Sequence, residues 1–272
     1  MADISWIEGT PRIACEVSGT GPPVVFLHGV GGNRRNWAYQ TAQLSDTYTT
    51  VAWDARGYGD SDDYEGDLEF SQFGDDLARM LDHLGIDSAH LVGLSMGARV
   101  LMDFFPRNRD RVVTLTLCDC FYAYQTALTP EKQREYVEFR ERPLLEGRTF
   151  ADLAPALVQS LVSPRCSDSV RAELHDSILA LRADSYLKTI KASVTYDASY
   201  NLADIDVPVQ LIFGAEDALT PPSIGEEMLG MLSNARLAVL DGAGHLSNLE
   251  RPTEFNTVLR GFLDDHADLS TT

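Results

Sequence analysis

Apolar residues along this chain keep two different periods. Positions 4–8 and 13–17 alternate apolar with polar, as strands with one dry face do, and Gly9-Thr10-Pro11 supplies a turn between them. Residues 19–23 form a Gly/Pro breaker cluster. Val24-Val25-Phe26-Leu27 then runs without a polar residue, as expected for a strand buried on both faces. Further strands are predicted over 48–53, 89–92, 112–117, 209–213 and 235–240. Over 73–84 the period changes: Phe73, Leu77, Met80, Leu81 and Leu84 fall on one face of a helix. Helices are also predicted over 98–105 and 253–263, the second followed by an acidic tail from Asp264.

Strands alternate with helices before residue 118 and again after residue 207. That order predicts an α/β fold with a mostly parallel sheet covered by helices on both faces. The stretch between differs, with helical spacing, many charges and few β-branched runs; helices are expected over 131–140 and 170–181. The expected organisation is a core of 1–121 and 202–272, interrupted by a helical lid over 122–201. Neither internal repeats nor low-complexity segments are visible.

Composition narrows the function. Of 272 residues 44% are hydrophobic and 23% charged, the balance of a globular protein. A formal charge of −19 disfavours nucleic acid and anionic membrane surfaces. No apolar run approaches the ~20 residues of a spanning helix. The first residues show no basic region followed by an apolar stretch, so a cytoplasmic protein is expected. Cys15, Cys118, Cys120 and Cys166 have neither C-x-x-C nor metal-ligand spacing and are expected to be reduced, inert thiols. The acidic runs at 60–67 and 264–265 read as solvated surface. No metal and no organic cofactor are expected.

The chemistry-bearing segment is Gly93-Leu94-Ser95-Met96-Gly97, between an apolar strand and a helix. Serine on a tight strand-to-helix turn, flanked by residues without Cβ, is a nucleophile elbow. A serine hydroxyl needs a base, and the base an orienting acid. Asp217 follows strand 209–213 and is the expected acid; His245 follows strand 235–240 and is the expected base. An oxyanion would need two backbone donors, expected at Met96, after the nucleophile, and at Val30, in the loop His28-Gly29-Val30-Gly31-Gly32. Loss of one such donor costs about 3–4 kcal/mol. This loop is not a dinucleotide fingerprint, because a third glycine would fall at Arg34, and the chain has no G-K-[ST].

On these pieces the chain resembles α/β-hydrolase-fold enzymes over almost its whole length. The matching segments are His28-Gly29 with Gly31-Gly32, 54–61 (DARGYGDS), the elbow, 214–222 (GAEDALTPP) and 242–250 (GAGHLSNLE). The order Ser95, Asp217, His245 is that family's triad order. The last two segments make the chain most similar to 3-oxoadipate enol-lactonases and related small esterases. The resemblance implies a small ester or lactone substrate and a Ser-His-Asp acyl-enzyme mechanism. Some members take their acid from the position of Asp119, which remains a rival to Asp217; Glu216 is a weaker one. Asp54, Arg56 and Ser61 match a scaffold turn, and His28 is read as structural.

The alternative within the fold is a carbon–carbon hydrolase of ring-cleavage products. Those enzymes usually carry tryptophan after the catalytic histidine, where this chain has Leu246. A non-enzymatic ligand receptor is a third reading, since fold does not fix function. In the lid region, Phe121, Tyr122, Tyr124, Phe139 and Leu161 fit either an acyl-pocket wall or ordinary core packing.

Overall fold

The computed structural model describes residues 3–122, 129–196 and 200–271. Eight strands form one sheet: β1 (Asp3–Ile7), β2 (Ile13–Ser18), β3 (Pro23–Leu27), β4 (Thr49–Trp53), β5 (Ala89–Leu94), β6 (Val112–Cys118), β7 (Val209–Gly214) and β8 (Ala235–Leu240). Their spatial order is β1-β2-β4-β3-β5-β6-β7-β8. β2 runs antiparallel to β1 and β4, and all other neighbours are parallel.

Strand side chains alternate between two cores. Val25, Leu27, Val51 and Leu91 face the cluster that holds Phe73, Leu77, Leu101 and Met228. Their neighbours Val24, Phe26, Ala52 and Val92 face the cluster of Trp37, Leu44, Phe255 and Leu259. So α1 (Ala38–Leu44) and the C-terminal helix (Pro252–Asp264) cover one face. On the other lie α2 (Ser71–His83), α3 (Met96–Phe104) and the helix Pro222–Met231. Between β6 and β7 lie α4 (Pro130–Leu145), α5 (Phe150–Leu161), α6 (Asp168–Leu179) and α7 (Ala183–Thr195). In chain order the later helices are α8 (Pro222–Met231), α9 (Ser247–Glu250) and α10 (Pro252–Asp264).

On β2, Ile13, Cys15 and Val17 face the first core as their alternation predicts, while Glu16 and Ser18 stay partly exposed; Ala14 on that second face is fully buried, and its N–H donates to the Ser61 hydroxyl at 2.8 Å. The acidic runs lie at the surface, as expected, where Asp62 and Asp63 pair with Arg12 and Arg182, Asp67 pairs with Lys191, and Asp264 accepts from the Tyr48 hydroxyl.

The topology places the site. From β3 the chain moves one way to β4, then returns across β3 to β5. At such a switch point the loops leaving two adjacent parallel strands diverge and open a crevice at their carboxyl ends. Leu27 pairs with Gly93, so the loop from His28 and the turn at Ser95 emerge side by side. Leu94 pairs with Cys118, Cys118 with Ile212, and Gly214 with Leu240, which brings the next three loops to the same edge.

Candidate active site

Ser95 occupies the turn between β5 and α3 with φ 55° and ψ −110°. Positive φ is strained for a residue with a Cβ. The Ser95 N–H is held by the Cys118 carbonyl at 2.9 Å, which helps keep the turn in place. Close packing explains the flanking glycines. A Cβ on Gly93 would lie 2.5 Å from the backbone nitrogen of Ala98, and one on Gly97 would lie 2.2 Å from the Leu27 carbonyl oxygen. The helix therefore begins at Met96, two residues earlier than its apolar period predicts.

The loop after β7 folds back on itself. Asp217 Oδ1 accepts from the N–H groups of Leu219 (2.8 Å) and Thr220 (3.0 Å), and Oδ2 accepts from the Thr220 hydroxyl at 2.5 Å. Oδ2 also faces His245 Nδ1 at 2.8 Å, and His245 Nε2 lies 2.9 Å from Ser95 Oγ. Ionised Asp217 can only accept, so the imidazole proton sits on Nδ1 and leaves Nε2 free to take the serine proton. Ser95, His245 and Asp217, named from separate segments of the sequence, thus lie in one hydrogen-bonded row.

Electrostatics agree with that direction of proton flow. Burial works against a charged imidazole, but the Asp217 hydrogen bond and the charges of Asp217, Asp119 and Glu250 outweigh it and raise the His245 pKa. Burial also opposes the Asp217 carboxylate, yet His245 and Thr220 hold its pKa below the ordinary value.

The rival acids go elsewhere. Asp119 is fully buried with φ 44° and makes no hydrogen bond to His245. It accepts from the Gly214 N–H at 2.8 Å and from the N–H and hydroxyl of Ser247, so it fastens the acid loop to the histidine loop. Burial, then the Asp217 charge, push its pKa up to about 7. Glu216 turns outward to Arg165 at 2.6 Å.

The loop after β3 lies against the serine: a Cβ on Gly29 would be 3.1 Å from Ser95 Cβ. His28 fixes this loop. Its Nε2 accepts from the Ala55 N–H at 3.0 Å, so the proton resides on Nδ1, which donates to the Gly29 carbonyl at 2.8 Å. The Gly32 N–H binds the same carbonyl at 3.1 Å. A peptide group is planar, so holding the Gly29 carbonyl also fixes the opposed N–H of Val30. The N–H groups of Val30 and Met96 have no acceptor among the described residues.

Ser95 and His245 line a cavity that also receives Tyr136 and Arg140 from α4, Leu157 and Leu161 from α5, and Tyr186 from α7. Of the residues expected at its wall, Leu161 is there. Phe139 points outward, 67% exposed, and Phe121 and Tyr122 lie off the cavity, Tyr122 donating to Glu227. Tyr124 lies outside the described residues. Sequence reading missed Arg140. Its signal was an aromatic and a cation one helical turn apart, Tyr136 and Arg140, in an otherwise charged helix. Asp54, Arg56 and Ser61 build the turn expected of them: Arg56 pairs with Asp76 at 2.6 Å and the Ser61 hydroxyl donates to the Asp54 carbonyl at 2.6 Å. Cys118 and Cys120 are fully buried, and burial raises both thiol pKa values. Among the described residues no cluster of His, Cys, Asp and Glu could hold a metal ion, and no helix is long and apolar enough to cross a membrane.

Comparison with known proteins follows the same outline. A sequence profile described as the alpha/beta hydrolase family matches residues 24–258. The 3-oxoadipate enol-lactonase 1 of Acinetobacter baylyi is 28% identical over 245 residues, covering 89% of this chain and 88% of that protein. Among solved structures, a thermophilic esterase from Thermogutta terrifontis, determined with malate bound, superposes with a TM-score of 0.89 at 28% identity. The match covers 97% of this chain and 100% of that one. The enol-lactonase from Burkholderia xenovorans LB400 gives a TM-score of 0.84 at 25% identity, over 96% and 100% of the two chains.

Proposed function

Because this chain belongs to the α/β-hydrolase family, we propose that it is a serine hydrolase of small carboxylic esters or lactones, acting through an acyl-enzyme on Ser95. The observation that carries this reading is the hydrogen-bonded row Ser95–His245–Asp217 at the cavity floor, with distances of 2.9 and 2.8 Å. The likeness to an enol-lactonase and to an esterase supports the substrate class.

His245 Nε2 takes the hydroxyl proton as Ser95 Oγ attacks the carbonyl carbon. Asp217 holds the imidazole tautomer and stabilises the imidazolium. The N–H groups of Val30 and Met96 receive the oxyanion, already aimed before substrate arrives. His245 then protonates the departing alkoxide. In a lactone that alkoxide stays tethered to the acyl group. Water, deprotonated by the same Nε2, attacks the acyl-enzyme and releases the acid. Helices α4–α7 act as a lid whose inner faces select the substrate, a role supported by the residues they send to the cavity wall. The reading includes a cytoplasmic location, supported by four buried cysteines that are all free thiols.

The test is proton release at constant pH from enol-lactones, saturated lactones and matched linear short-acyl esters, each beside Ser95→Ala. Turnover in the unaltered enzyme and its loss in a folded Ser95→Ala protein are expected. Normal turnover by Ser95→Ala would sink the mechanism. A preference for lactones over linear esters would make the enzyme a dedicated lactonase, and the reverse a carboxylesterase.

A further inference from the structure

The loop that offers the Val30 N–H is fastened from two sides. One fastening is the hydrolase core: the His28 imidazole, and the Asp54 carboxylate, which accepts from the Arg34 N–H at 2.7 Å. The other comes from helix α6, 141 residues further along the chain. The short 3₁₀ turn Arg34–Trp37 follows the loop, and its Asn36 side chain reaches back to it. Asn36 Oδ1 accepts from the Asn33 N–H at 2.8 Å, and a Cβ on Gly32 would lie only 2.7 Å from that oxygen. The Gly32 N–H in turn holds the Gly29 carbonyl, whose peptide carries the Val30 N–H. The other end of the Asn36 amide belongs to α6. Its Nδ2 donates to the Ser177 hydroxyl at 3.0 Å, Asn33 Nδ2 approaches the same oxygen at 3.4 Å, and Glu173, one helical turn earlier, also bonds Asn36. Asn33, Asn36 and Ser177 are all buried. Leu174 and Ile178, next to these two α6 residues in the chain, line the catalytic cavity.

We propose that Asn36, seated by Ser177 and Glu173 of α6, is a positioning residue for the oxyanion donor Val30, so that α6 takes part in catalysis besides walling the cavity. This rests on the hydrolase reading of Ser95. A buried amide is costly unless both its ends are bonded. Without the Ser177 hydroxyl the Asn36 amide can turn away. The Asn33 N–H then loses its acceptor, and the turn that closes Gly32 on Gly29 slackens. The Val30 N–H follows the tilt of its peptide. An oxyanion donor acts by being aimed in advance, so a donor free to tilt stabilises the transition state less, while the ground-state ester binds as before.

The test pairs 1,1,1-trifluoroheptan-2-one with heptan-2-one as inhibitors. Ser95 Oγ adds to the activated carbonyl carbon of the first, the serine proton passes to His245 Nε2, and the carbonyl π electrons settle on oxygen as an oxyanion. The second ketone binds without forming one. In Ser177→Ala, inhibition by the trifluoroketone is expected to weaken about 10-fold and inhibition by heptan-2-one to stay unchanged. Turnover of 4-nitrophenyl butyrate should lose about 10-fold in kcat, with KM unchanged. Glu173 is only half-buried, so Glu173→Ala carries the same comparison should Ser177→Ala fail to fold; Glu173→Gln, which keeps an acceptor, should restore the lost rate. Ser177→Ala combined with Glu173→Ala should approach the about 100-fold cost of losing one oxyanion donor outright. A loss confined to KM, or equal weakening of both ketones, overturns the proposal and leaves α6 as a wall. If the unaltered protein binds both ketones alike and turns over no ester, the hydrolase reading has failed. Tight trifluoroketone binding that ignores both substitutions sinks the positioning role alone.

Discussion

Each proposed catalytic side chain does its work through one or two atoms, and substitutions can separate them. Asp217→Asn removes the acceptor that sets the His245 tautomer; kcat should fall about 10⁴-fold. Asp119→Asn should cost far less, because Asp119 touches His245 only through its charge. Steady-state rates of the two variants decide this, and a larger loss at 119 would move the acid there. The pH profile gives a second reading. His245 must be neutral to act as a base, and its pKa lies above the ordinary 6.5. The rate should therefore fall as pH drops through a midpoint above that value. Asp119 supports the imidazolium by its negative charge, so Asp119→Asn should move that midpoint to lower pH. At this scale the sequence was unusually readable, because Ser95, Asp217 and His245 each follow an apolar strand and sit among small turn-forming residues. Arg140 was not readable. A cation on a charged helix looks solvated until tertiary packing turns it inward.

Elements were legible where one face of each is dry. The sheet strands and α2 announced themselves by period, and Met80 and Leu81 are as buried as their spacing predicts. α8 was missed because it buries little beyond Gly225 and Met228, so no stripe marks it. α5 was obscured by Pro155 within its first two turns. The partners of an element were also hidden. No pattern in 13–18 says that β2 has a strand on each side. The strand-to-helix turn makes a sharper prediction. Gly97→Ala drives a methyl into the Leu27 carbonyl, backbone against backbone, which neither rotamer nor side chain can relieve. The loss should reach about 2–3 kcal/mol or more, a fall of roughly 5–10 °C in Tm, read by thermal unfolding. A Tm within a degree of the parent would mean that α3 can shift freely against β3.

The whole molecule is two cores divided by a sheet, with the helices between β6 and β7 extending the second core. What joins those helices to the loop that carries His245 is a small set of buried bonds. Glu250 accepts from the N–H groups of Gly244 and Ser163, both at 2.9 Å, and the Ser163 hydroxyl donates to the Gly242 carbonyl. Glu250→Ala leaves two buried N–H groups unmet, at about 1–3 kcal/mol each. A lowered Tm together with a lowered kcat is expected. A lowered Tm with kcat intact would show that the histidine loop keeps its place unaided.

The His245 N–H donates to the carbonyl of Leu161, the last residue of α5, at 2.8 Å. The proposed general base therefore hangs from the segment whose side chains line the cavity. Anyone exchanging that segment between relatives to redesign selectivity would, unless residues 161–163 were retained, re-aim the base at the same stroke. By the same linkage, natural drift in substrate choice here cannot proceed as a free exchange of modules, because each new wall must still hold up the histidine.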